Sequence, residues 1–261
     1  MGKVGVTKAF EVIKSALAVL NAEVDGSDSE PWWDGDPLAG LADGCLDILA
    51  GVHGVEAGFA GLKARAAMKY SDTVQALAPP DASVQSQEMA VTAEIGSLLC
   101  LSDRAAGSLL AASHALATTL PLTLSALQSG TISWQHALVM VDETASLDPA
   151  GAAALEAHFL DPKAPTPPAA GVGDMPAYRF KAKARTWRER HHAESFEKRH
   201  AKGMADRRVE YRPDQDGMAW LSAYLPADQA LSGWNRLTAL SRGMQGPNEG
   251  RSLTQLRADT F

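Results

Sequence analysis

An apolar residue recurs at every third or fourth position over residues 38–66, and this pattern constrains the fold more than any other feature of the chain. Such spacing places the side chains on one face of an α-helix, whereas a strand would require strict alternation. A pattern sustained over about four heptads is typical of helices in a bundle or a coiled coil. We therefore expect a long helix with a buried seam. The seam residues are Leu38, Leu41, Cys45, Ile48, Val52, Val55, Phe59, Leu62 and Ala66.

A row of glycines accompanies this seam, one position before four of its residues. Glycine weakens a helix, but it also allows a neighbouring backbone to approach closely. A functional role for the row is the alternative, and tight packing is the preferred interpretation. The row consists of Gly51, Gly54, Gly58 and Gly61.

The composition also favours helices over sheets. Hydrophobic residues make up 46% of the chain and aromatic residues only 6%, while alanine and leucine are abundant. A first helix is expected over residues 7–24 and an acidic loop over 25–37. The region after the seam is punctuated by helix caps and breakers, so the sequence predicts a mainly α fold, a multi-helix bundle. Helix starts are expected at Ser102, Ser133 and Asp148, and Leu120–Pro121 is expected to break the chain.

One later part of the chain has the pattern of a β-hairpin. Residues 207–212 and 218–225 mix β-branched and aromatic residues with polar ones, and turn-forming residues at 213–217 separate them. A helix over residues 178–202 is expected before the hairpin, and further helices are expected after it. The sequence therefore predicts a smaller C-terminal α+β portion that contains the hairpin.

A proline-rich segment divides these two portions. Residues 161–176 contain five prolines and two glycines, a composition that excludes a regular helix or strand and indicates a linker or a long surface loop. We expect a helical bundle domain at 1–160 and the linker or loop at 161–177. The basic helix, the β-hairpin and the C-terminal helices are expected at 178–261.

The net charge of −7 conceals a division between the two portions. Residues 1–160 contain 7 Lys and Arg against 19 Asp and Glu, whereas residues 161–261 contain 17 against 12. Such a chain is expected to have an acidic helical body and a basic C-terminal part that could face a polyanion.

The bases concentrate on the helix expected after the linker. At 100° per residue, Phe180, Ala184, Trp187 and His191 form one apolar seam that can dock on the body. The flanking bases can then contact about 4–6 phosphates. The alternative is a solvated helix whose charges only maintain solubility, but Glu189 is the single acid between residues 179 and 190. We predict nucleic-acid binding by Arg179, Lys181, Lys183, Arg185, Arg188 and Arg190, together with Arg207 and Arg208.

Residues 94–116 have the pattern of a helix-turn-helix motif, with a tight corner at Leu101–Ser102. A recognition helix must offer long polar side chains to base edges. The second helix offers Arg104 and otherwise alanine, glycine, serine and leucine. An ordinary helical hairpin is therefore the preferred interpretation.

The sequence contains no recognisable catalytic or metal-binding set. His191, His192 and His200 lie near glutamates, but their spacing matches neither a zinc-protease motif nor a paired-cysteine site. No nucleophile is paired with a base, and no glycine-rich phosphate loop joins a strand to a helix. The other helical histidines are interpreted as packing residues. These are His114, His136 and His158.

An ordered set of short motifs resembles a known family. Over about residues 38–261, the chain is similar to an uncharacterised actinobacterial helical domain that precedes HNH endonuclease modules in the thirteen-E-twelve repeat family. The resemblance implies a helical accessory region of mobile-element type, attached to a DNA-cutting module whose metal-binding residues are not in this sequence. The motifs are EIGSLLCL at 94–101, LPLTLSAL at 120–127, RRV at 207–209, DGMA at 216–219, LPA at 225–227 and QLRAD at 255–259.

We therefore expect a non-catalytic region of an HNH-endonuclease-like protein that associates with DNA through its basic helix. The alternative is a protein-interaction or oligomerisation module, in which the long helix binds a second copy and no nucleic acid is bound. No cofactor is expected, and a divalent metal would be required only by a following HNH module. Residues 12–20 are too short an apolar run to span a membrane. We expect no membrane partner and a cytoplasmic location, consistent with two unpaired cysteines, Cys45 and Cys100.

Overall fold

The computed structural model of the protein describes residues 3–25, 37–79, 82–164 and 170–261. It is mainly helical, with a two-stranded antiparallel sheet near the C-terminus, so the predicted fold class is confirmed. The chain divides into two compact units, Met1–Arg188 and Glu189–Phe261. Most of the acidic loop expected at 25–37, and residues 165–169 of the proline-rich segment, lie outside the described residues.

The helices of the first unit begin where the capping residues predict. The Ser102 Oγ accepts a hydrogen bond from the Ala105 N–H (3.3 Å), and Asp148 Oδ1 accepts one from the Gly151 N–H (2.8 Å). A further helix, α8 (Ala177–His191), begins in this unit and crosses the division after Arg188. The preceding helices are α1 (Lys3–Val24), α2 (Pro37–Leu77), α3 (Val84–Leu99), α4 (Asp103–Thr118), α5 (Pro121–Gln128), α6 (Trp134–Thr144) and α7 (Pro149–Leu160).

The long helix α2 packs through a face different from the predicted one. Its core-facing row consists of Ala57, Ala64 and Ala67, all buried, whereas Val55 and Leu62 of the predicted seam are more than half exposed. The prediction of a buried apolar seam is therefore wrong for these two residues, and also for Phe59 and Ala66, which are exposed. Small side chains face the core because the neighbouring helices approach α2 closely.

The glycine row explains how this close approach is possible. A Cβ on Gly61 would lie 2.9 Å from Gln128 Cγ at the end of α5. Gly130, which follows α5 with φ +78°, lies so near Gly54 that a Cβ there would be 3.0 Å from the Gly54 carbonyl oxygen. The predicted packing role of the glycine row is confirmed at Gly61, and a Cβ on Gly58 would also lie 3.6 Å from the Gln128 carbonyl oxygen. The Cβ positions of Gly51 and Gly54 have no neighbour within 4 Å.

The main core lies among α4 to α8 and continues into the proline-rich segment. Val172, in a 3₁₀ turn at Val172–Asp174, and Met175 are buried in it, so the described part of the segment is a loop packed on the core. Phe180 and Ala184 of α8 complete this core. The first compact unit consequently extends to Arg188, well past the boundary at residue 160 expected from the sequence. The largest other side chains of the core are Leu116, Leu120, Leu127, Ile132, Met140 and Leu155.

The second unit contains the predicted hairpin and three helices. The single helix expected over 178–202 is instead broken at His192, whose φ of −137° and ψ of 64° are not helical. The hairpin pairs Arg208 with Tyr224 at one end and Pro213 with Ala219 at the other. The elements are α9 (Ala193–Ala205), β1 (Arg208–Pro213), β2 (Ala219–Tyr224), α10 (Ala227–Gly243) and α11 (Leu253–Thr260).

Part of α2 has the length and apolar composition of a membrane-crossing helix. The segment Asp43–Leu77 meets this test, although little of its apolar window is buried in the protein. The chain bends by 107° between helices α3 and α4. This pair would have the required length and composition only if the two helices were counted as one bent span. Length and composition alone are weak evidence for a membrane span, because core helices of soluble proteins also satisfy them.

Candidate nucleic-acid interface

Helix α8 is held on the first unit by an aromatic seam. The fully buried Phe180 ring lies 5.9 Å from the His136 ring and meets the Phe159 ring edge-on at 5.2 Å, measured between centroids. The Trp187 indole stacks on the His158 ring, with 5.6 Å between the ring centroids. The predicted seam is confirmed for Phe180, Ala184 and Trp187, whereas His191 is exposed.

A buried ion pair provides a further attachment of α8. Arg188 is only 5% exposed, and Glu143 on α6 is only 4% exposed. The guanidinium of Arg188 pairs with the carboxylate of Glu143. The sequence placed Arg188 among the outward-facing bases, and the structure contradicts this placement. Its guanidinium contacts Glu143 inside the protein, so it is not available to a phosphate. The partner acid could not be identified from the sequence, because Glu143 lies on a different helix.

The remaining bases of α8 in the first unit are exposed and form two rows beside the buried seam. Arg179 and Lys183 are separated by one helical turn on one flank, and Lys181 and Arg185 occupy the other flank. Lys181 Nζ lies 3.9 Å from Asp142 Oδ2, with both side chains more than half exposed. A surface pair of this kind contributes little energy and is easily exchanged for another anion. The structure thus brings together four of the predicted site residues.

The other predicted site residues belong to the second unit. Arg190, in the last turn of α8, is exposed, and so are Arg207 and Arg208 at the start of the hairpin. Arg208 donates a hydrogen bond to Glu210, which raises the pKa of the guanidinium, and its charge also lies over the Tyr224 ring at 5.2 Å. Much of the positive charge of Arg208 is therefore compensated within the hairpin.

His136 positions the loop that leads into α8. Its Nδ1 accepts a hydrogen bond from the Ser133 backbone N–H (3.3 Å), and its Nε2 donates one to the Met175 carbonyl oxygen (2.7 Å). Because a carbonyl oxygen can only accept, the Nε2 atom must carry the proton. The imidazole therefore connects the first turn of α6 to Met175, two residues before the start of α8. The packing role predicted for His136 is confirmed, whereas His114 is exposed.

The α3–α4 corner has the angle of a helix-turn-helix motif without its chemistry. The helices meet at 107°, and Cys100 at the corner adopts a left-handed conformation with φ 53°. One face of α4 is buried through Leu109 and Leu116. The exposed side of α4 offers Asp103, Arg104 and His114 and otherwise short side chains, too few long polar groups to read base edges in a groove. This corner has the features of a packed helical hairpin.

Elsewhere in the described part of the chain, no group of three or more His, Cys, Asp or Glu residues is close enough to hold a metal ion. Glu156 of α7 is buried, but its Oε1 accepts hydrogen bonds from the Thr123 N–H (2.7 Å) and hydroxyl (2.8 Å). The carboxylate thereby accepts a hydrogen bond from a backbone N–H in the first turn of α5 that would otherwise have no helical partner, which is a structural role.

A family model with the description "Domain of unknown function (DUF222)" matches residues 59–261, a range that includes the last part of α2 and all of α8. A search of the curated proteins and a search of the solved structures found no match. The family description assigns no activity, so the functional argument rests on the geometry of α8.

Proposed function

The chain belongs to the DUF222 family, a family of unknown function, and on this premise we propose that it is a non-catalytic region that binds the DNA backbone through α8. The observation that carries the proposal is the arrangement of this helix. Phe180, Ala184 and Arg188 attach it to the core, while four bases remain on its exposed flanks. The resemblance to domains that precede HNH modules supports DNA as the polyanion, in an HNH-endonuclease-like protein.

The buried attachment of α8 involves residues other than its four exposed bases. The aromatic seam and the Arg188–Glu143 pair provide the attachment, and Lys181 makes only a surface contact with Asp142. Arg179, Lys183 and Arg185 are exposed side chains that can approach phosphate oxygens without unfolding the helix. Each neutralised phosphate releases condensed counterions, which is the main driving force of sequence-independent binding.

The proposed binding is not specific for a DNA sequence. The exposed bases of α8 would contact phosphate oxygens, which carry no sequence information. We expect a Kd of about 10⁻⁴–10⁻⁶ M near physiological salt. The excess of acids in residues 1–160 weakens binding further by long-range repulsion.

The proposal is tested by neutralising the two rows on α8. In the test variant Arg179, Lys181, Lys183 and Arg185 are changed to Gln, which retains helix propensity. A matched variant changes Lys8, Arg104, Arg236 and Arg242 to Gln, four exposed bases on other helices. Both variants lose the same formal charge. Binding to a fluorescent duplex at 50 mM salt should weaken about ten-fold or more in the α8 variant and much less in the matched variant.

Two outcomes contradict the proposal. The first is equal weakening in the two variants, because this would show that net charge alone determines binding. The second is no measurable binding by the wild-type protein at low salt. Thermal melting of each variant provides the folding control, since all eight positions are exposed and their substitution should leave stability within about 0.5 kcal/mol.

A further inference from the structure

A broad apolar surface of the first unit faces solvent on α1 and α2. Val55 and Leu62 of α2 are 57% and 54% exposed, and Phe59 between them is 38% exposed. Helix α1, which contacts α2, exposes large hydrophobic residues along most of its length, from Val4 to Val24. The largest apolar patch of an ordinary monomer covers about 300–600 Å². The exposed apolar row of α2, next to a helix that itself exposes many large hydrophobic residues, therefore indicates a contact surface.

The α2 part of this surface lies opposite to the side that packs in the core. At 100° per residue, Val55 and Leu62 point away from the buried row that includes Ala57 and Ala64. Helix α2 therefore has two contact faces, one of small residues for its own core and one of large residues. Ile48 and Val52, earlier on the large-residue face, are half-buried, so α1 and the rest of the first unit cover this face only in part.

We propose that a second copy of this chain covers this surface, with the two α2 helices antiparallel. The apolar residues of the large-residue face repeat with the spacing of a heptad, and such a seam is complementary to its own copy. A pair of helices that cannot bury its apolar side alone forms a four-helix bundle with an identical pair. A helix of 41 residues is about 60 Å long, enough for the roughly 800 Å² that each partner buries in a stable interface.

The charges of α2 determine the direction of the pairing. Asp43 and Asp47 lie in its first part, while Lys63, Arg65 and Lys69 lie after the midpoint. A parallel pair would place like charges side by side, whereas an antiparallel pair brings the acidic part of one copy beside the basic part of the other. If the two-fold axis passes near Val55, Ile48 of each copy lies opposite Leu62 of the other.

The same helix meets the length and composition test for a membrane span, but its charges favour a second copy. Asp47 and Glu56 lie inside the segment that meets the test. On insertion scales, an aspartate at the centre of a membrane costs about 2.5–3.5 kcal/mol. Both side chains are exposed and lie off the large-residue face, so in a dimer they can remain in water.

The association is tested by sedimentation equilibrium of the full chain. Wild-type protein should be dimeric, and Val55→Asp and Leu62→Asp should each raise the dimer Kd about 100-fold or more, because each would bury an unpaired carboxylate. The matched controls are Leu98→Asp on α3 and Leu231→Asp on α10, which replace leucines 81% and 58% exposed outside this surface. The controls should leave the dimer Kd unchanged.

The direction of pairing is tested by cysteine cross-linking. In a background with Cys45→Ser and Cys100→Ser, protein with Ile48→Cys and protein with Leu62→Cys are mixed and oxidised. Cross-linking between the two variants, with little cross-linking of Ile48→Cys to itself, supports the antiparallel dimer. Predominant self-linking of Ile48→Cys would show parallel pairing and overturn the proposal.

Other outcomes also overturn it. A wild-type protein that is monomeric at 100 µM has no such interface, and flotation of that monomer with phosphatidylcholine–phosphatidylglycerol vesicles would identify a lipid surface as the occupant. Failure of the dimer proposal can be distinguished from failure of the proposed DNA binding. Val55→Asp leaves α8 intact, so duplex binding by the monomeric variant tests α8 independently.

Discussion

The buried Arg188–Glu143 pair determines which face of α8 is available for binding. Both side chains are only 6% exposed, and each charge is compensated by the other inside the protein. Arg188→Met should therefore destabilise the protein by about 3–5 kcal/mol, because it leaves an uncompensated carboxylate in the core. The double change Arg188→Met with Glu143→Leu should restore most of this loss. Urea unfolding of the three proteins provides the measurement.

Arg190→Met is the matched control for this prediction. Arg190 is exposed in the same helix, and its replacement should change the free energy of unfolding by no more than about 0.5 kcal/mol. Equal effects at Arg188 and Arg190 would mean that the buried pair does not hold α8. They would also restore Arg188 as a candidate for phosphate contact.

The burial of Glu156 predicts that the stability of the protein depends on pH. Burial raises the pKa of this carboxyl above its usual value, and the hydrogen bonds from Thr123 oppose the shift only in part. A raised folded-state pKa means that the folded protein binds the proton more tightly, so this group favours folding at low pH and loses that contribution as pH rises through the folded pKa. Glu156→Gln removes the titration but retains an acceptor for Thr123.

The melting temperatures of wild type and Glu156→Gln should therefore diverge with pH. Relative to wild type, the variant should become more stable between pH 4.5 and pH 8, because only the wild type must ionise a buried group. Melting curves at both pH values give the comparison. A constant difference between the two proteins would show that Glu156 titrates as it does in the unfolded chain.

At the level of the elements, the contact between α2 and the end of α5 depends on glycine at particular positions. Gly130→Ala places a Cβ at positive φ and about 3 Å from the backbone of Gly54. Backbone strain and overpacking should together cost about 2–4 kcal/mol. Gly51→Ala, in the same glycine row but without a neighbour, should instead stabilise the protein by about 0.5–1 kcal/mol. Chemical denaturation of both variants tests the pair, and a loss of stability at Gly51 would contradict the described packing of α2.

The elements also show how far the sequence determined the structure. The caps at Ser102 and Asp148 act through contacts within a few residues, and they correctly predicted where helices begin. The heptad pattern of α2 correctly predicted a helix, but it could not identify the buried face, because large and small residues both repeat at helical spacing. The break at His192 has neither glycine nor proline nearby, so no local signal marked it.

At the level of the whole molecule, the sequence predicted how α8 is attached better than it predicted the role of each base on that helix. The apolar spacing of α8 correctly identified Phe180, Ala184 and Trp187 as the attached face. Arg188 is buried because it pairs with Glu143, which is 45 residues away in the chain and is brought near it only by the fold. The sequence could therefore predict a basic helix, but not which of its bases are used internally.

Contact between α8 and the phosphate backbone should appear in the salt dependence of duplex binding. Four exposed bases can contact two to four phosphates, so log K should fall with log salt concentration with a slope of about −2 to −4 for the wild-type protein. Changing Arg179, Lys181, Lys183 and Arg185 to Gln should bring the slope close to zero, while the matched variant on other helices keeps the wild-type slope. A wild-type slope near zero, or one unchanged by the α8 substitutions, would contradict the account.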